Sequence, residues 1–278
     1  MGWYAVFWRE MIILWKKIGR MGYVFSTIVF PFIYLFSFGL GLGGRVNVDG
    51  GYLPFLAKGI MGVTVLLNSF QQTASSVSTG RLYFRNFQSV VLSPVAAWEV
   101  VLGIIAAGSV RGIFFGSLVF VIAWGAFGVG GLNVLAVTGL ILGSCCFAAM
   151  GVVVGMLVKH PDDVSLINNF FITPMIFFGG SFFPLQNLPP WLAAVAQLSP
   201  IGTLNALLRA PGWNSGAVWA AGTLIVLTVC FFAWSVWLYS RYSEWVWEKV
   251  DPEPVNYLSD NHRAICEVGQ GTCPRVPQ

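Results

Sequence analysis

Charged residues are scarce in this chain. Asp, Glu, Lys and Arg together make up 9% of its 278 residues, while hydrophobic residues make up 56%. Soluble globular domains contain about 25% charged residues, so the composition predicts an integral membrane protein. Basic runs interleaved with aromatic residues are also missing, which argues against nucleic-acid binding.

Catalytic constellations are missing from the apolar segments. No G-x-x-x-x-G-K-[ST] motif occurs, so the chain has no P-loop for a nucleotide phosphate. Both histidines, His160 and His262, lie outside the apolar segments, and no such segment carries Asp or Glu at its centre. Intramembrane proteases and proton relays need these groups. We therefore expect no catalytic residue and no cofactor in this chain.

The five cysteines do not suggest a metal site. Cys145, Cys146 and Cys230 lie in apolar segments, where a cysteine usually acts as a small hydrophobic residue. Cys266 and Cys273 are too few and too widely spaced for a closed four-ligand zinc site. We expect no bound metal.

Residues 1–21 contain no small-x-small cleavage site, so a cleavable signal peptide is not expected there. Their helical charge pattern instead predicts an interfacial amphipathic helix. At about 100° per residue, the charged side chains share an arc of about 120° opposite an apolar face. This pattern is typical of helices at the headgroup boundary of an anionic leaflet. The charged face consists of Arg9, Glu10, Lys16, Lys17 and Arg20, and the apolar face consists of Trp3, Phe7, Met11, Leu14, Trp15 and Ile18.

Six apolar segments long enough to span a bilayer are predicted between residues 22 and 240. They are followed by a polar tail, residues 241–278, whose function the sequence leaves open. The fourth segment is rich in glycine, alanine and serine, which favours close helix packing. The predicted spans are residues 22–42, 54–78, about 108–127, 132–158, 168–183 and 216–239.

Positive charge predicts the orientation of these spans. With both termini in the cytoplasm, the inner flanks hold eight Lys or Arg residues and the outer loops hold two, Arg45 and Arg209. Arg111 lies about one turn inside the third span. It either extends to the inner surface or contributes to a substrate path, and the sequence leaves both open.

Polar side chains are concentrated in the second span, where Asn68, Gln71 and Gln72 precede a run of Ser and Thr. Such groups are costly against lipid, so they should face other helices or a water-filled path. The fifth span is interrupted by Pro174 and by Gly179 and Gly180. A segment of about two turns, residues 191–198, follows and is expected to lie at the outer surface.

Two motifs carry a resemblance to a known family. The first is FFGGSFFPLQNLPPWL at residues 177–192, followed by Ser199 and Pro200, and the second is LSPVAAWEVVLG at residues 92–103. Together they resemble the membrane-permease subunits of type-2 ABC exporters (ABC-2 permeases), in particular those of nodulation and antibiotic-resistance systems. The resemblance covers residues 1 to about 245.

The resemblance implies an all-α membrane protein with six transmembrane helices, an N-terminal interfacial helix, a cytoplasmic coupling helix and a short extracellular helix after span five. It further implies a homodimer in the bacterial inner membrane, paired through spans one and five. A separate ABC ATPase would hydrolyse ATP, and an amphipathic substrate such as a lipid-linked saccharide, a lipid or a hydrophobic drug would leave the cytoplasm.

The resemblance also assigns roles to residues. Relatives often carry glutamates in the coupling helix, whereas residues 81–89 here contain arginines and an asparagine, so the charge partners differ. For each polar path residue, an interhelical hydrogen bond is an equal alternative. The expected ATPase-coupling residues are Arg81, Tyr83, Phe84, Arg85 and Phe87, and the expected path residues are Asn68, Gln71, Gln72, Asn168, Asn169, Thr173 and Phe177.

Two other functions stay open at this point. A non-transporting anchoring or assembly subunit needs no polar inner path, so the polar end of span two argues against it. A channel needs repeated carbonyl or charged filters, and the sequence shows none.

Overall fold

In the computed structural model, the described residues form helices joined by turns and short loops, and they contain no strand. The chain divides into two compact units, residues 1–239 and 240–278. The predicted tail begins as helix, which continues to Val250. The described residues are 2–19, 21–42, 51–83, 95–128, 130, 133–187 and 189–250.

Eleven α-helices are described, with two π-helical turns and one 3₁₀ turn between them. The first π-turn joins α3 to α4 and the second joins α7 to α8, so each pair forms one longer helical segment. The α-helices are α1 (Gly2–Ile18), α2 (Met21–Leu42), α3 (Tyr52–Leu66), α4 (Gln72–Leu82), α5 (Ala97–Phe127), α6 (Val134–Leu157), α7 (Asp163–Ile167), α8 (Thr173–Phe178), α9 (Pro190–Leu198), α10 (Pro200–Arg209) and α11 (Ser215–Val250); the other turns are π1 (Leu67–Gln71), π2 (Asn168–Ile172) and the 3₁₀ turn Leu185–Asn187.

Four described helical segments are long and apolar enough to cross a membrane. The bent pair of α9 and α10 raises this number to five if it counts as one span. Shorter apolar stretches, Thr27–Gly39 and Asp163–Phe178, fall on the predicted first and fifth spans. The all-α membrane fold is therefore confirmed, and the count of six stays a prediction. The four long segments are Tyr52–Leu82, Ala97–Phe127, Val134–Leu157 and Ser215–Ser243.

Glycines let the central helices approach each other closely. Gly108, Gly112 and Gly116 form a stripe at four-residue spacing on α5 that faces the second span. A Cβ added to Gly116 would lie 2.6 Å from a methyl group of Val65, and the other two glycines lie against Thr73 and Ser69. Helices in lipid associate largely through this kind of close packing.

The predicted small-residue packing of the fourth span is confirmed on two faces of α6. Gly139 and Gly143 face Leu207 and Leu204 of α10. Gly151 and Gly155 on the same helix lie against the backbone of π1 and α4, where added Cβ atoms would come within 2.6 and 2.8 Å of carbonyl oxygens. Helix α6 is thus held between two elements.

Helices α9 and α10 meet at an angle of 85°. The sequence predicts only the first of them. Ser199 caps α10 by accepting the Gly202 N–H at 3.1 Å, and the apolar face of α10 is buried, with Ile201, Leu204 and Leu207 at 0% exposure. Helix α9 is therefore largely exposed, whereas α10 enters the core.

Arg209, counted above as an outer-loop residue, ends α10 and holds this region together. Its guanidinium donates to the carbonyls of Gly180, Ser181 and Phe55 at 2.7, 3.3 and 3.2 Å and lies 3.6 Å from the Phe55 ring centre. Asn205 donates to the Gly179 carbonyl and the Ser181 hydroxyl, both at 3.0 Å. Gly180 has φ +72°, a conformation that favours glycine.

Candidate functional site

A polar cavity of about 170 Å³ lies between α2 and the middle of the second span. Its described wall combines amide and hydroxyl side chains with a proline and a leucine and contains no charged group. The sequence-predicted path residues Asn68, Gln71 and Gln72 all belong to this wall. Among the described residues, the lining consists of Thr27, Pro31, Thr64, Leu67, Asn68, Gln71 and Gln72.

The cavity lies at the π-helical turn of the second span. Asn68 Nδ2 donates to the Thr64 carbonyl at 2.9 Å, and the Thr64 hydroxyl donates to the Ile60 carbonyl at 2.9 Å. These bonds satisfy polar groups inside the span, which the absence of water makes costly to leave unpaired. The π-turn adds one residue to the helix locally, as is frequent at functional sites.

A buried ion pair lies beside this segment. Glu10 of α1 and Arg111 of α5 are 3% and 2% exposed, and their side chains meet at 3.1 Å. Arg111 also donates to the Glu10 carbonyl at 3.1 Å, and the Ser76 hydroxyl donates to the Glu10 carboxylate at 3.0 Å. Arg9 pairs with the second carboxylate oxygen at 3.1 Å.

This ion pair corrects two sequence interpretations. Arg111 does not extend to the surface, because Glu10 holds it inside the protein, where it is 2% exposed. A role of Arg111 in a substrate path stays a prediction. The charged face of α1 also turns partly toward the helices, while Trp8 and Trp15 on α1 are 54% and 76% exposed. Sequence reasoning missed Glu10 as a partner because the two residues are far apart in the chain.

Lys17 connects α1 to the cavity. Its ammonium donates to Gln72 Oε1 at 3.5 Å, and Gln72 lines the cavity. Burial lowers the pKa of the Lys17 ammonium and the nearby Arg111 lowers this pKa further, while Glu10 acts in the opposite direction. The sequence placed Lys17 on the charged face of α1 without predicting this contact.

The path residues expected on the fifth span do not join this cavity. Asn168 begins π2, where its carbonyl accepts the Thr173 hydroxyl at 3.1 Å and its side-chain oxygen is buried without a partner. Asn169 is exposed. Phe177 is 42% exposed and packs against Phe182 at 5.2 Å between ring centres. Their place in a substrate path stays a prediction.

Comparison with known proteins decides the family. Residues 1–211 match the ABC-2 type transporter family. The chain belongs to the ABC-2 type transporter family. This confirms the family resemblance inferred from the two sequence motifs.

Two kinds of curated relative are similar to this ABC-2 permease. Inner membrane transport permease YadH of Escherichia coli K12 is 30% identical over 246 residues, which cover 83% of this chain and 95% of the relative. Nodulation protein J of Sinorhizobium fredii is 27% identical over 253 residues, covering 86% and 93%. Nodulation protein J of Rhizobium leguminosarum is 28% identical over 218 residues, covering 75% and 81%.

The expected ATPase-coupling residues of this ABC-2 permease are described only at their start. Arg81, in the last turn of α4, donates to the Met156 and Val158 carbonyls at the end of α6. Tyr83 is 69% exposed. Phe84, Arg85 and Phe87 lie outside the described residues, as do Cys266 and Cys273.

Arg81 therefore has a structural contact that the sequence did not predict. Carbonyls at a helix C-terminus carry partial negative charge and lack intrahelical partners, so a guanidinium stabilises them. The contact joins the end of the second span to the end of the fourth, directly before residues 84–94. Coupling to an ATPase stays a prediction for Arg81.

Proposed function

We propose that this ABC-2 permease is the transmembrane subunit of an ATP-driven exporter that moves an amphipathic substrate out of the cytoplasm. The observation that carries the proposal is the polar cavity between α2 and the middle of the second span, in a bundle whose long helical segments are apolar enough to cross a membrane. Such a cavity accepts the polar part of an amphiphile, while the surrounding apolar surfaces accept its chains. A purely anchoring subunit has no use for it.

The energy source is proposed to lie on a separate ABC ATPase. The sequence has no P-loop of its own. The family membership and the name of the Escherichia coli relative, a transport permease, support a partner of this kind. The inner membrane is the proposed location, with both termini in the cytoplasm, as the Lys and Arg distribution predicts.

The size of the cavity supports a homodimer. About 170 Å³ is less than the roughly 300 to 1,000 Å³ of sites that enclose a drug-sized molecule. A second copy would complete a larger path. Phe36 on α2, Phe171 on π2 and Phe178 on α8 are 52%, 71% and 47% exposed, and these aromatic side chains form the proposed contact through spans one and five.

Reconstitution tests the proposal. The permease is co-expressed with a candidate ABC ATPase of the same organism, purified as a complex and placed in vesicles with a fluorescent phospholipid. We expect ATP-dependent movement of the phospholipid between leaflets and none with an ATPase variant that lacks its P-loop lysine. The proposal fails if the ATPase does not associate, or if movement is equal with the active and inactive ATPase.

A further inference from the structure

The polar cavity has a cation at its edge. The cavity-lining groups that the structure describes are uncharged, but Gln72 connects them to Lys17, whose Nζ donates to Gln72 Oε1 at 3.5 Å. Because Oε1 accepts from Lys17, the amide N–H₂ of Gln72 is left to donate elsewhere. The lysine is half-buried, whereas its neighbour Lys16 is exposed.

The charges around Lys17 do not balance. The two oxygens of Glu10 are already engaged, one by Arg9 and the other by Arg111 and Ser76. In the described part of this cluster, three cations thus share one carboxylate. The first cause of the lowered pKa of Lys17 is burial and the second is repulsion by Arg111, so this ammonium would be stabilised by a further anion.

We infer that Lys17 and the polar cavity form a recognition site for the anionic headgroup of the transported amphiphile, an oxyanion such as a phosphate. The inference rests on the proposed function and narrows its substrate class. The oxyanion would pair with the Lys17 ammonium and accept hydrogen bonds from amide groups of Gln71 and Gln72. A cationic drug would meet repulsion from Lys17 and the neighbouring guanidinium groups.

The relation between α1 and the cavity explains how Lys17 is positioned. The buried pair of Glu10 and Arg111 fixes α1 against α5, and Ser76 joins the same carboxylate to α4. Lys17 follows Glu10 by about two helical turns and so lies on the same face of α1. Glu10 and Arg111 are thus positioning residues, and Lys17 is the residue that contacts the headgroup.

A binding experiment with the full-length permease in neutral detergent micelles tests this inference without the ATPase. The probes are two fluorescent phospholipids with identical chains, a phosphatidic acid and a phosphatidylcholine, and affinity is measured by anisotropy. We expect tighter binding of phosphatidic acid to the wild-type protein. Lys17→Gln should weaken phosphatidic acid binding about tenfold, the order of magnitude of one partly screened charge pair, and leave phosphatidylcholine unchanged.

Lys16→Gln is the matched control, because it removes the same charge from the adjacent, exposed position. It should change neither affinity by more than about twofold, since exposed charge pairs contribute little. Gln72→Lys added to Lys17→Gln returns a cation to the cavity wall and should restore most of the binding. This rescue separates headgroup recognition from a structural role of the Lys17 contact with Gln72.

Three results would overturn the inference. Equal losses for Lys16→Gln and Lys17→Gln would mean that α1 attracts anionic lipid only through its total charge. Equal binding of the two phospholipids to the wild-type protein would remove the anionic selectivity. Displacement of the phosphatidic acid by inorganic phosphate at equal concentration would show a site for a free anion instead of an amphiphile. Each result is independent of ATPase association, so it is distinguishable from a failure of the proposed exporter function.

Discussion

At the scale of single residues, the buried pair of Glu10 and Arg111 is the contact with the largest expected energetic consequence. Charges removed from water are costly unless they are paired and hydrogen-bonded. Here the two charges are paired, and each side chain makes a further hydrogen bond, while Arg111 Nε is buried without a partner in the described part of the chain. The sequence places Glu10 on the charged face of α1 and Arg111 about one turn inside the third span. It could not pair them, because the pairing depends on how α1 packs against α5, which a single sequence does not specify.

Removing one member of this pair should destabilise the protein strongly. Within the residues that the structure describes, Glu10→Gln leaves the Arg111 guanidinium buried without a charged partner, and Arg111→Met leaves the buried Glu10 carboxylate with only Arg9 as an ion-pair partner. For a variant that leaves a buried charge in this way, we expect the free energy of unfolding to fall by about 3 to 5 kcal/mol. The double variant Glu10→Met with Arg111→Met should lose clearly less stability than the sum of the losses of the two single variants. Unfolding by sodium dodecyl sulfate in mixed micelles, followed by fluorescence, measures these changes.

Arg9→Gln provides the control for that series. Arg9 pairs with the same carboxylate at the same distance of 3.1 Å, but its side chain is 38% exposed, against 3% for Arg111. Exposed pairs contribute about 0 to 1 kcal/mol, so this variant should change stability little. Equal effects of Arg9→Gln and Arg111→Met would contradict the assignment of a buried pair.

At the scale of elements, the sequence predicted some helices closely and missed others for definite reasons. The fourth span, predicted at residues 132–158, is observed at Val134–Leu157. Helix α10 is not predicted from the sequence, because Pro200 cannot continue the preceding helix and so marks its end. Proline also favours the first position of a helix, and here Ser199 and Pro200 begin one. The apolar residues that follow are buried by α6, a tertiary contact that the local pattern does not encode.

The π-turns could not be predicted for a related reason. Hydrophobic periodicity identifies a helix but does not show one inserted residue at Leu67–Gln71. The polar composition of this stretch correctly indicated an inward-facing surface, and three of the seven predicted path residues line one cavity. The other four lie on the fifth span, so a complete site would depend on a second copy that the sequence of one chain does not position.

Glycine packing on α6 gives a prediction at this scale. Gly151→Ala would place a Cβ 2.6 Å from the Phe70 carbonyl, which belongs to the backbone of π1 and cannot move aside easily. We expect a loss of about 1 to 3 kcal/mol, as for other overpacked sites. Detergent unfolding measures the loss, and cavity access near Gln71 should change with it.

Gly222→Ala on α11 is the matched substitution. An added Cβ there meets nothing within 4 Å, so only helix propensity changes, by up to about 1 kcal/mol in the stabilising direction. If both alanine variants have the same stability, close approach of α6 to π1 is not important for the fold.

At the scale of the whole molecule, the predicted orientation in the membrane depends on how many Lys and Arg residues lie on the inner and outer sides of the spans. The count omitted Lys58, which is half-buried in α3 and close enough to Arg209 to interact electrostatically. On the outer side, Lys58 raises the outer number from two to three against eight inside, so the predicted direction is unchanged.

Cysteine labelling tests this orientation. In a variant without the native cysteines, single cysteines at Asn47 and Asn187 should react with an impermeant maleimide in intact cells. Cysteines at Asn86 and Asp162 should react only after permeabilisation, because both flank the positively charged inner loops. Reaction of the Asn86 variant in intact cells would refute six spans with cytoplasmic termini.

The dimer contact is tested by crosslinking. Phe38 packs within the chain against Phe182, at 5.4 Å between ring centres, so the more exposed Phe36 is the better position on α2. Cysteines at Phe36 or Phe178 should form crosslinks between two copies in native membranes. Val229, 61% exposed on α11, is the control position and should not crosslink; equal yields at all three positions would indicate random collision.

Coupling to the ATPase is the last whole-molecule prediction, and it concerns Phe84 and Phe87. The segment that holds them follows α4, whose Arg81 is bonded to the last carbonyls of α6. A displacement of this segment by an ATPase would therefore act on the second and fourth spans together. Aromatic anchors at an interface typically contribute about 2 kcal/mol or more each, so Phe84→Ala with Phe87→Ala should release the ATPase or uncouple hydrolysis from transport.

The matched control for coupling is Tyr4→Ala with Trp8→Ala. These two residues are exposed aromatics on α1, stacked at 6.1 Å between ring centres, and α1 is predicted to lie at the headgroup boundary. Aromatic residues that only anchor a segment at the membrane surface would behave alike in the two double variants. Co-purification of the ATPase and ATP-dependent transport in vesicles distinguish the cases. Wild-type values of both for the Phe84 and Phe87 variant would refute the coupling assignment. Loss confined to that variant, with insertion and crosslinking of the dimer unchanged, supports it.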